Sequence, residues 1–132
     1  MKNSLKEGVR STRSFDIDKG RTIDFMGDAL RVYATPELIR DIENTCRDLL
    51  LEHLDEGEDS VGTRVEIDHT GATLLNMSVN ISVTIKSVEG RLVTFEITAE
   101  DNIEKVAKGT HTRFVVETSK LEERLKAKAS KV

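Results

Sequence analysis

Three residues of different chemical character stand where the hydrophobic pattern around them gives no reason for their presence. Glu43 falls between Ile39 and Leu50 on the apolar arc of a helical pattern and is the only formally charged residue there. A carboxylate without a partner in such a place is costly to bury or picks up a proton, so the position asks for a partner or a task. His69 shares the inward parity of Val65 and Ile67 at the end of an alternating run, just before Thr70-Gly71. Imidazole is the side chain best suited to exchange protons near neutral pH. Thr35 offers a hydroxyl at a helix start, eight residues before Glu43. That spacing is a little over two helical turns, so both can line one side of a groove. An acid, an imidazole and a hydroxyl aimed into one core are parts for moving protons or activating a nucleophile.

Each has a plain structural reading beside the chemical one. Glu43 can sit at the edge of its arc and reach water or a structural arginine, and His69 can be a hydrogen-bonded, half-buried histidine. Thr35 before Pro36 is in the position of a helix N-cap. His53 lies near the end of the same helix, where a histidine is favoured for structural reasons. His111 and Arg113 share one face of the last predicted strand; a surface arginine is the commoner reading, and reach to a carboxylate is the functional one. Gly62 marks either a strand bulge or a close approach of backbone to a ligand.

The elements that must position these residues can be read from their periods. A helix is predicted from about Pro36 to Leu54, closing near Gly57, with Glu37 at the positive end of its dipole. Leu38, Ile39, Ile42, Cys46, Leu49, Leu50, His53 and Leu54 fall on its buried arc. Arg40, Asp41, Asn44, Arg47, Asp48 and Glu52 fall on the opposite, solvated face. The period then changes to two: Val61, Thr63, Val65, Ile67 and His69 alternate with polar residues. Val79, Ile81, Val83 and Ile85 do the same, and the turn Val88-Glu89-Gly90-Arg91 leads into Val93, Phe95, Ile97 and Ala99. A last strand is predicted over Lys105 to Val116, and an N-terminal one within Gly8 to Asp16, with Arg13 to Asp18 the most strand-like part. One long amphipathic helix followed by strands on short connections is an α+β pattern, an antiparallel sheet wrapping one face around the helix.

Composition narrows the function classes. A chain of 132 residues, 37% hydrophobic and 33% charged, is expected to be one domain over 1–132, with 119–132 a basic tail or helix. A net charge of −4 with 4% aromatic residues argues against a nucleic-acid surface. A mean hydropathy of −0.37 and an N-terminus without an apolar run predict no membrane span and a cytoplasmic address. Cys46 is the single cysteine, and no Cys or His cluster has metal-ligand spacing, so neither a disulfide nor a metal is expected.

The segments Gly57-Glu58-Asp59-Ser60-Val61-Gly62-Thr63, Asp68-His69-Thr70-Gly71-Ala72-Thr73, Ser87-Val88-Glu89-Gly90-Arg91 and Gly109-Thr110-His111-Thr112-Arg113 resemble, in order, those of the fluoroacetyl-CoA thioesterase family. With Thr35 and Ile42-Glu43, the resemblance runs from about Gly8 to Arg124. It implies a hotdog fold, a homodimer or higher oligomer with acyl-CoA held between subunits, and Thr35, Glu43 and His69 as the catalytic set. It implies too that Gly62 offers its N–H to the thioester oxygen and that Arg113 orients the acidic centre. No cofactor is implied, coenzyme A being part of the substrate. The family's founding enzyme closes its acyl pocket with two phenylalanines, and Met26 and Ala29 stand at the matching positions here. The reaction therefore transfers better than the substrate, and a short or medium acyl-CoA is expected. Two alternatives are another CoA-thioester enzyme such as a hydratase, and a non-catalytic acyl-CoA binding module.

Overall fold

The computed structural model describes residues 1–132. Helix α1 spans Thr35–Leu51, and α2 spans Thr118–Ala129. Five strands complete the fold: β1 Arg10–Asp16, β2 Glu58–His69, β3 Ser78–Glu89, β4 Leu92–Asp101 and β5 Lys105–Glu117. They form one antiparallel sheet in the order β1-β3-β4-β5-β2.

The helix starts where Ala34, in extended backbone, meets Pro36, whose fixed φ and missing N–H suit a first turn. Leu38, Ile42, Cys46, Leu49 and Leu50 are buried along one side of α1. They pack into the concave face of the sheet against Val79, Ile81, Val83 and Ile85 of β3 and Val93, Phe95 and Ile97 of β4. This core joins the 3.6-residue period of the helix to the two-residue period of the strands, and burial of its apolar area is the main driving force for the fold. Truncating a fully buried member such as Ile42 to Ala is worth roughly 2–5 kcal/mol. The hairpin between β3 and β4 closes on Gly90 and Arg91, with Gly90 at φ +60°, a first loop position where glycine is favoured.

Four details depart from the sequence reading. Helix α1 ends at Leu51 rather than Leu54, and Thr35 lies inside it, so Ala34 and not Thr35 is the N-cap residue. Asp41, assigned to the solvated face, is buried. Strand β1 runs Arg10–Asp16, earlier than the stretch that looked most strand-like, because its register follows β3 from Ser78 to Thr84. In β2 the register with β5 shifts between Gly62 and Arg64. The extra residue at this bulge reverses the alternation, so Ser60 is buried while Val61 and Thr63 are exposed, and inward parity resumes at Val65.

Strand β2 is the outer edge of the sheet and pairs only with β5 within the chain. It is twelve residues long with few buried side chains. Helix α2 lies outside this frame and buries no residue.

Candidate active site

Two clusters lie along the inner side of β2. The first joins the start of α1 to the end of β2: the Thr35 hydroxyl and Nδ1 of His69 are 2.8 Å apart. Thr35 is free for this contact because it makes no capping bond. The other ring nitrogen of His69, Nε2, is buried with no hydrogen-bond partner in the protein. Burial holds the pKa of His69 below the ordinary histidine value, so the neutral imidazole, able to accept a proton, is the favoured form.

The second cluster lies at mid-helix, under the bulge. Glu43 is half-buried, and its Oε2 accepts from a terminal nitrogen of Arg113 at 3.5 Å, a long contact in the range of an ion pair. Arg113 is only 4% exposed, which corrects its reading as a surface arginine. Its Nε donates to Ser60 Oγ at 2.7 Å, and its second terminal nitrogen donates to the Ser60 carbonyl at 2.9 Å. His111 lies beside it, fully buried and stacked on Phe95. Its Nδ1 faces the Arg64 carbonyl at 2.8 Å, and its Nε2 faces Arg113 at 3.2 Å. A carbonyl can only accept and a guanidinium only donate, so His111 is the neutral tautomer protonated on Nδ1. Burial holds its pKa down in keeping with that form.

Gly62 belongs to this second cluster. A side chain there would place its Cβ 3.0 Å from Glu43 Oε2 and 3.2 Å from His111 Cε1. The strand backbone therefore comes up against the carboxylate, and the register shift beside Gly62 is the bulge that this glycine suggested. Glu43 and His69 themselves are joined by no hydrogen bond or ion pair within the chain. Thr35 and Glu43 stand about 12 Å apart along the helix axis, eight residues at the usual rise.

A third arrangement was missed in the sequence. Asp41 accepts from Arg21 through Nε at 2.9 Å and a terminal nitrogen at 3.2 Å, and also from the Tyr33 hydroxyl. Burial and the Asp41 bond push the Tyr33 phenol up, so it stays protonated and donates. The signal was present in the spacing Leu38, Asp41, Ile42, Thr45, an i, i+3, i+4, i+7 stripe whose four members are all buried. Met26 and Ala29 line an open cleft of about 420 Å³ with Leu30, Val32, Leu74 and Leu75. His53 is held by Ser4 Oγ at 2.7 Å from its Nδ1, a tie to the N-terminal segment. No helix is long and apolar enough to cross a membrane.

The family model for the fluoroacetyl-CoA-specific thioesterase matches residues 17–119, a span that holds every residue of both clusters. The chain belongs to this family. A fluoroacetyl-CoA thioesterase from Streptantibioticus cattleyicolor is 27% identical over 135 residues, covering 97% of this chain and 97% of the relative. A mutant of the fluoroacetyl-CoA-specific thioesterase FlK, solved with fluoroacetate and CoA, is 28% identical and covers 89% of this chain and 99% of its own, with a TM-score of 0.82. A hot-dog-like protein from Thermanaerovibrio acidaminovorans is 28% identical, with 92% and 91% covered and a TM-score of 0.85. The protein is thus a thioester hydrolase on a hotdog fold.

The two clusters differ in the chemistry they can do. Neutral His69 beside a hydroxyl can accept a proton from Thr35 or from a water held against it. Glu43 beside Arg113 and the Gly62 backbone is a carboxylate fixed next to a strand that bears N–H groups, the donor type that stabilises an oxyanion.

Proposed function

We propose that the protein hydrolyses a short or medium acyl-CoA thioester at a site completed by a second copy of the chain. The observation that carries this reading is the Thr35–His69 pair: a hydroxyl 2.8 Å from a neutral imidazole whose other nitrogen lies buried and unpartnered. The exposed length of β2 supports the dimer, because an edge strand of twelve residues offers unpaired backbone groups to a second copy. Antiparallel pairing of two β2 strands about an axis between Gly62 and His69 would bring His69 of one copy toward Glu43 of the other. That is the contact which a single chain does not make.

In this scheme His69 takes a proton as oxygen attacks the thioester carbon, and the Gly62 N–H meets the developing oxyanion. The C–S bond then breaks, the proton passes to the departing CoA thiolate, and the free acid leaves. The attacking oxygen in this step is that of water, directed by Glu43, or of Thr35, whose acyl ester water then clears. If the Glu43 carboxylate attacks instead, it has no proton to give, the CoA thiolate leaves and takes a proton from solvent, and His69 accepts the proton of the water that hydrolyses the resulting anhydride. Rapid quench and mass spectrometry separate the paths, because only a covalent one leaves an acyl-sized mass on the protein. No cofactor enters, CoA arriving with the substrate. Met26 and Ala29 border the acyl group, and the open cleft beside them favours chains longer than two carbons. The expected address is the cytoplasm, where acyl-CoA is found.

The test is thiol release from a panel of acyl-CoA esters, with light scattering at micromolar concentration. Hydrolysis of several esters by a dimer or larger assembly is expected. An unchanged thioester with water added across the acyl chain would indicate a hydratase, and tight binding without turnover a binding module. An active monomer would overturn the shared site, and strict preference for fluoroacetyl-CoA over acetyl-CoA would overturn the open pocket.

A further inference from the structure

Asp41 is a poor choice for stability alone. It is 4% exposed on the buried side of α1, where an apolar residue of similar size would avoid the cost of taking a carboxylate out of water. Its side-chain partners are Arg21 and Tyr33, and both belong to the segment that delivers the chain to Thr35. The same segment is tied by its backbone. Ala34 donates its N–H to the Arg21 carbonyl, and Tyr33 donates its own to Thr73, in the loop that follows His69.

Tyr33, 2% exposed, stands at the junction of these ties. Its hydroxyl is held by Asp41, and its ring meets His69 edge to face, with centroids 6.1 Å apart and planes at 76°. Two side chains face the His69 ring, the Thr35 hydroxyl from α1 and the Tyr33 ring from the segment before it, with the Gly71 backbone close by. No charged side chain pairs with His69, and Arg21 and Asp41 lie beyond the tyrosine. An imidazole turns about two side-chain torsions, and a single hydrogen bond through one nitrogen leaves the ring plane free to tilt about that bond. The tyrosine ring supplies a second contact, and the buried carboxylate fixes the ring.

We propose that Tyr33 is a positioning residue for His69, anchored through its hydroxyl by the buried Asp41–Arg21 pair. The proposal rests on the thioesterase reading for its kinetic consequence but not for its structural one. A ring that covers one side of His69 also keeps water from it, in agreement with the burial that lowers its pKa.

The test combines kinetics with an NMR titration of the His69 ring, assigned by difference from His69→Ala. In Tyr33→Leu, kcat should fall by about 30-fold or more, since small displacements of a catalytic group are costly in rate, while KM stays within about twofold. The His69 midpoint should rise toward the ordinary histidine value of about 6.5. Tyr33→Phe keeps the ring and should restore the wild-type midpoint, with kcat within about fivefold of wild type because only the tether is lost. A folded Tyr33→Leu protein with unchanged kcat and midpoint would overturn the proposal. If that variant does not fold, the bulkier Tyr33→Met decides: a several-fold lower kcat with an upward midpoint shift supports the role, and wild-type behaviour in both refutes it. An inactive wild-type protein would defeat the thioesterase reading, whereas the titration would still decide the place of Tyr33.

Discussion

The two clusters along β2 are built on opposite principles. Under the bulge, the ring nitrogens of His111 and all three guanidinium nitrogens of Arg113 have partners, and those partners are backbone carbonyls, Ser60, each other and Glu43. At the end of the strand, His69 has one side-chain hydrogen bond, to Thr35, and its other nitrogen is unpartnered. Buried polar groups are ordinarily satisfied, so the full cluster reads as a fixed support and the incomplete one as the place where a proton can move. Glu43 is tied to the support by its ion pair and keeps a half-exposed carboxylate.

If that division is right, the largest effect on rate should come from removing the groups that carry charge or protons. Glu43→Gln and His69→Ala should each lower kcat by on the order of 10²-fold, the usual scale for a positioned acid or base. The double variant should cost much less than the product of the two, as for residues that act as a unit. Glu43→Gln with undiminished activity would end the comparison, since Glu43 would then be support alone.

Arg113→Met should chiefly cost stability. It strips partners from Ser60 and from His111 Nε2 in a buried place, worth about 2–4 kcal/mol. Thermal unfolding should move down by on the order of 10 °C. An Arg113→Met protein of wild-type Tm would show that the fully satisfied cluster is not a support.

Thr35→Ala should do the reverse. Thr35 is exposed and is not the cap, so Tm should hold within about 2 °C. Where Thr35 only holds His69 the rate should fall about tenfold through loss of one hydrogen bond, and a far larger fall would mark Thr35 as the attacking oxygen. Thr35→Ser keeps the hydroxyl and should lose less. A Thr35→Ala protein that loses stability in place of rate would erase the contrast between the clusters.

The smallest effect is on pH dependence. Burial lowers the pKa of both His69 and His111 in the folded chain. The unfolded chain binds protons at about pH 6.5, where the folded one does not, so stability must fall as the pH drops through that value toward the folded pKa values. Tm measured from pH 7 to 5 should decline, and His69→Ala should flatten part of the slope. On the proposed mechanism neutral His69 is the working form, so the acid limb of the rate should lie below about pH 6.5. A limb above it would show that stabilisation of the charged form of His69 outweighs the burial that opposes it.

The sequence by itself determined the elements and their inward faces, because helix and strand periods repeat over many residues and burial must follow them. Leu38 to Leu50 on α1 and Val79 to Ile85 on β3 needed no third dimension. Glu43 and His69 stood out for the same reason, as polar side chains inside a strong pattern, and the ordered motifs named the family. Tertiary structure alone decided what depends on a single residue or on distant partners. One extra residue at the β2 bulge reversed Val61 and Thr63, which a strict period of two cannot anticipate. Asp41 was legible as charge but not as buried charge, because its partners, Arg21 and Tyr33, come from a segment without periodicity. The Thr35 hydroxyl went to His69 instead of its own helix end because the sheet brings the two together across 34 residues of chain, a contact that local propensity does not encode.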